Sequence, residues 1–106
     1  RPGKLELFVE SLGTGHFDYA DNIVAAPIGD IVMCEDGDGD NFVRGVTSAG
    51  HVYPIARNAM EERSEFTGVC FSPDGATMFV NIQRPGLTLA VRGPWRELSK
   101  LASTEA

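Results

Sequence analysis

The segment Asp36-Gly37-Asp38-Gly39-Asp40-Asn41 sets oxygen-bearing side chains at alternate positions, with glycines between them that let the backbone fold tightly. With Glu35 it places four carboxylates within six positions. Hard oxygen donors in such a run suit calcium. The loop has Asn41 where an EF-hand loop needs glycine and Thr47 where it needs a bidentate glutamate, so it is not an EF-hand. The competing reading is a solvated acidic turn. Glu35 differs from the rest because it ends an apolar run, Ile31 to Cys34, which fixes where its carboxylate starts. Asp21-Asn22 precede another apolar run and offer further oxygens, or else close a turn through local side-chain to backbone bonds.

Other chemistry finds less support. His16 and His51 are isolated, and no His/Cys spacing resembles a zinc site. His51 is expected to face solvent on a hairpin. No G-x-S-x-G elbow is present, so nucleophilic serine chemistry has no basis. Arg44, Arg57, Arg84 and Arg92 could each hold an anion, because guanidinium matches phosphate in a bidentate fork, or simply solubilise the surface.

The elements that must position these groups come from a pattern written twice. Asn22 to Glu35 and Gly68 to Asn81 each read as an apolar strand, a Pro-x-Gly turn and a second apolar strand. Pro27 and Pro73, like Gly29 and Gly75, are separated by 46 positions (27 to 73, 29 to 75). A repeat of that length built from short strands matches one four-stranded blade of a β-propeller, and the expected class is an all-β propeller fragment of about two antiparallel blades. A small sandwich or barrel would use the same turns. The first blade is expected over 21 to 57, with strands at Ile23 to Ala25, Ile31 to Cys34, Phe42 to Val46 and His51 to Ala56. A partial second blade is expected over 67 to 92, with strands at Val69 to Phe71, Met78 to Ile82 and Leu87 to Val91. Residues 4 to 10 alternate as a strand, and 46 positions separate Leu5 to Val9 from His51 to Ile55 (5 to 51, 9 to 55), which makes them the last strand of a preceding blade. For 93 to 106 a helical turn around Glu97, Leu98 and Leu101 competes with a frayed tail.

A hydrophobic content of 42% in 106 residues supports one packed domain. A net charge of −6 without a basic stripe disfavours nucleic acid, and no apolar run is long enough for a membrane span. Cys34 and Cys70 both lie in apolar strand patterns and are expected to be small buried hydrophobes. Two blades leave sheet edges open, which invites self-association or pairing with further blades.

Taken in order, Asp21-Asn22-Ile23, Cys34-Glu35-Asp36-Gly37, Arg44-Gly45-Val46-Thr47, Ala56-Arg57-Asn58, Glu65 to Gly75, Phe79 to Gln83 and Pro85-Gly86 resemble the C-terminal part of PhoX-type alkaline phosphatases, over roughly residues 4 to 95. That resemblance implies a propeller, usually exported by the twin-arginine route to the periplasm, that hydrolyses phosphomonoesters with iron (Fe3+) and calcium (Ca2+). It implies that Glu35 is a metal ligand, that Asp36 and Asp21 are lesser candidate ligands, and that Arg57 is a phosphate contact. Arg84 stands where the family often has histidine. The family's other ligands would lie in earlier blades, so little or no phosphatase activity is expected of these 106 residues alone. A noncatalytic propeller segment and a calcium-dependent lactone hydrolase of the gluconolactonase type are the alternatives.

Overall fold

The computed structural model describes residues 2–97. They form two antiparallel sheets, one of four strands in the order β1-β2-β3-β4 and one of three in the order β5-β6-β7. The strands are β1 (Ala20–Ala25), β2 (Ile31–Glu35), β3 (Phe42–Val46), β4 (Val52–Arg57), β5 (Phe66–Phe71), β6 (Thr77–Ile82) and β7 (Leu87–Arg92). A 3-10 turn at Trp95–Glu97 ends the described chain. Each sheet is a simple meander, because every connection is short enough to join neighbouring antiparallel strands.

The 46-residue echo recurs in the strands themselves. β1 and β5 begin 46 residues apart (20 to 66), β2 and β6 likewise (31 to 77), and β3 and β7 end 46 apart (46 to 92). The turns repeat too. Gly29 N–H donates to the Ala26 carbonyl at 2.9 Å and Gly75 N–H to the Ser72 carbonyl at 2.8 Å. Both glycines sit in the left-handed region, φ 95° and 72°, which side-chain-bearing residues reach only with strain. The two sheets do not close into a ring.

β2 is buried along nearly its whole length, as an apolar strand covered on both faces must be. Val32, Cys34, Val43, Val69, Met78 and Val80 form the centre of the core, which runs through both sheets, and Trp95 covers it, with its ring edge-on to Phe71 at 5.8 Å. The sheets meet mainly where β5 lies against β1 and β2.

Two expectations fail. Residues 4 to 10 form no strand, and Leu5 is 100% and Leu7 77% exposed, because no neighbouring strand among the described residues offers this segment hydrogen-bond partners. Cys70 is exposed rather than buried. A bulge between Thr67 and Cys70 at Gly68 adds a residue to β5, which turns Val69 inward and Cys70 outward. Leu98 and Leu101 of the expected helical turn lie outside the described residues.

Candidate metal centre at the seam between the sheets

The acidic residues gather at one end of the molecule, where β1 and β5 begin and β2 ends. β1 carries a bulge between Ala20, paired with Glu35, and Asn22, paired with Cys34. Asp21 is the extra residue, released from the regular pairing. Asp36 follows β2, and its N–H donates to the Tyr19 carbonyl at 2.9 Å. Glu65 precedes β5, and its carbonyl accepts from Gln83 N–H at 3.1 Å. Carboxylate oxygens of Asp21, Asp36 and Glu65 lie within 4.8 Å of one another, the single such group of metal-binding side chains among the described residues. No ion pair among the described residues involves any of the three.

Bringing like charges together has a visible cost. The Glu65 carboxyl is pushed above its ordinary range, first by desolvation and then by the Asp36 and Asp21 charges, with Arg84 working in the opposite sense. Directly beneath, the Cys34 thiol is pushed up to about 11, chiefly by burial, with a hydrogen bond from the Val69 backbone opposing and Asp21 and Glu65 adding to the rise. Asn22 does not close a local turn. Its Oδ1 accepts from Val69 N–H at 3.3 Å and so ties β1 to β5 across the seam.

Glu35 is placed differently from its neighbours. Its side chain is buried and both oxygens are engaged: Oε1 accepts from Phe42 N–H at 2.9 Å, and Oε2 accepts from Asp18 N–H at 2.7 Å and from Arg44 Nε at 2.8 Å. Arg44 in turn stacks over the Phe42 ring, 4.1 Å from its centroid. Buried charge of this kind is stable only when every lone pair and proton is used. The arrangement fixes the chain on both sides of the acidic loop.

Asp38 and Asp40 are not among the carboxylates that converge with Asp36. Buried Asn41 closes the loop from inside: Oδ1 accepts from Gly37 N–H at 2.7 Å, and Nδ2 donates to the Gly37 carbonyl at 3.2 Å and the Arg63 carbonyl at 2.9 Å. Asp40 faces two guanidinium groups, Arg57 Nη1 and Arg63 Nε, each at 3.5 Å. Arg57 is half-exposed, its guanidinium drawn to Asp40. A cleft of about 500 Å³ opens beside the acidic loop, lined by Thr14, Asp18, Tyr19, Asp38, Asp40 and Arg44 among others.

The trio unites two expected residues, Asp21 and Asp36, with one that the sequence reading did not single out. Glu65 lies at the entrance to β5, the strand equivalent to β1 one repeat on, so strands that enter at the same end of the molecule are the signal that points to it. Three hard carboxylate donors fit a calcium ion, and their mutual repulsion is the condition such an ion relieves.

Among the described residues no helix is long and apolar enough to cross a membrane. No curated protein and no solved structure matches the chain. The family model described as alkaline phosphatase PhoX matches residues 3–86, most of the sequence and the whole of the carboxylate trio. This chain, with its acidic seam between two strand-turn-strand repeats, belongs to the PhoX alkaline phosphatase family.

Proposed function

We propose that the chain forms two neighbouring blades of a β-propeller phosphomonoester hydrolase, exported in its family's manner, and that Asp21, Asp36 and Glu65 hold calcium at the seam between them. The observation that carries this reading is the convergence of three carboxylates from both sheets, none of them in an ion pair among the described residues. A metal centre in such an enzyme supplies charge neutralisation on the phosphoryl oxygens.

The protein's own groups have separable tasks. Asp21 is aimed by the β1 bulge, Asp36 by the end of β2 and Glu65 by the entrance to β5, so each ligand is fixed by a strand terminus rather than by a free loop. Glu35, with its oxygens already accepting three hydrogen bonds, acts here as the brace that holds Asp18, Phe42 and Arg44 around the acidic loop, instead of as a ligand. Arg57 retains N–H groups beyond its contact with Asp40 and is the candidate phosphate contact. Iron is assigned to no residue of this chain, since a single cluster of three converging carboxylates is found among the described residues and it is allotted to calcium.

Calorimetric titration with calcium chloride tests the site. Saturable binding is expected, with Asp21→Asn, Asp36→Asn and Glu65→Gln each abolishing it and Asp38→Asn leaving it intact. Absence of binding would favour a noncatalytic propeller segment. The 106 residues alone are expected not to turn over p-nitrophenyl phosphate, with or without calcium and iron. Sustained hydrolysis by the isolated chain would overturn that part of the proposal.

A further inference from the structure

We propose that the edge of β7 is a docking site for residues 4–10 of a second copy of this chain, which add as a fourth strand to the three-stranded sheet. The two sheets are built alike, strand for strand, up to β7. β3, the counterpart of β7, carries β4 on its outer edge, whereas β7 carries nothing among the described residues. Among the described residues the position that β4 fills beside β3 has no counterpart beside β7, and residues 5 to 9 stand 46 positions before residues 51 to 55, which include most of β4.

Residues 4–10 are available for the role. Among the described residues they pair with no strand, Leu5 and Leu7 are exposed, and the segment has the period-two alternation that a half-buried strand needs. β7 is correspondingly open, with Leu87 and Val91 both exposed. An unpaired edge beside an unpaired strand-forming segment is the situation in which β-augmentation occurs.

The known pairing of β3 with β4 also supplies a register. Arg44 faces Pro54, Gly45 faces Tyr53 and Val46 faces Val52. Carried forward one repeat on β7 and back one repeat on the incoming strand, this sets Ala90 opposite Phe8, Val91 opposite Leu7 and Arg92 opposite Glu6. Apolar groups then meet apolar groups, and the one charged pair is of opposite sign, the arrangement that stabilises directly facing cross-strand residues. A shift by one residue would face Arg92 with Leu5 or Leu7 and lose the match.

Sedimentation velocity of the 106-residue chain over a range of concentrations is the test. Association beyond the monomer is expected. Leu7→Pro removes a backbone donor from a segment that forms no strand in the single chain, so it is expected to leave the circular dichroism spectrum unchanged and the protein monomeric. Glu6→Arg and Arg92→Glu are each expected to weaken self-association at least several-fold, and the double charge reversal to restore it. A peptide spanning residues 2–11 is expected to bind the Leu7→Pro protein and to protect the β7 amides from hydrogen exchange. A monomer at every concentration, unaltered association of the Leu7→Pro protein, or no rescue by the double reversal would each overturn the proposal. So would protection of the β7 amides in a monomeric species, which would assign the edge to a segment of the same chain.

Discussion

Arg44 Nε lies 2.8 Å from Glu35 Oε2, with the arginine side chain 8% and the glutamate 1% exposed, and the pair joins the middle of β3 to the end of β2. Removing one member of such a pair strands the other charge in a poorly solvated place. Arg44→Ala is therefore expected to destabilise the fold by about 3–5 kcal/mol, and Arg44→Met together with Glu35→Gln by less than the arginine substitution alone. Urea unfolding followed by Trp95 fluorescence measures both.

A second close pair lies at the opposite end of the same sheet. Gly45 faces Tyr53 across β3 and β4, and a Cβ on Gly45 would collide with the tyrosine ring. The ring's hydroxyl donates to buried Asp30 Oδ2 at 2.6 Å, and burial followed by that bond raises the phenol well above its usual range. Gly45→Ala is expected to cost about 1–3 kcal/mol by displacing the ring. Tyr53→Phe is expected to cost about 1–3 kcal/mol by leaving the Asp30 carboxylate without its donor. Thermal melts of the two variants check these values.

The two cysteines should separate cleanly by reactivity. The buried Cys34 thiol, pushed up to about 11, is neutral at physiological pH, whereas Cys70 is exposed. One fast-reacting thiol per chain is expected with DTNB in native buffer and two after denaturation. Cys70→Ser should remove the fast phase, while Cys34→Ser should leave it.

Glu65 gives the acidic seam a pH signature. A carboxyl whose folded-state value is raised binds more protons folded than unfolded, so its ionisation opposes folding. The metal-free chain should therefore lose stability as pH rises through the upper carboxylate range, and regain that part on acidification until the unfolded chain is protonated as well. Glu65→Gln is expected to raise metal-free stability at neutral pH by no more than about 1 kcal/mol, the scale of exposed charge interactions, with the gain vanishing at low pH. Calcium should reverse the order, stabilising the wild type by about 2.7 kcal/mol at a hundredfold excess over the dissociation constant and leaving the variant unchanged. Melting temperatures at several pH values, with and without calcium, record both effects.

The strands around the two Pro-x-Gly turns were legible because two local signals agree there, apolar runs and the residue types that a positive φ demands. The acidic loop was legible as a feature but not in its shape, since nothing in Asp36 to Asn41 reveals that Asn41 points inward to close the loop while Asp40 turns out to Arg57 and Arg63. Residues 4–10 show the limit most plainly. Alternation made them a strand in sequence, but a strand exists only where another edge completes its hydrogen bonds.

By itself the sequence determined the all-β class, the 46-residue repeat and the family, because all of these reside in residue type and spacing along the chain. Only the tertiary structure decided which acids lie close together. Glu65 reaches Asp21 and Asp36 because β5 packs against β1 and β2, while Glu35, next to Asp36 in sequence, turns into the core toward Arg44. Successive residues on and beyond a strand end point in opposite directions, and nearness in space is set by how the sheets pack.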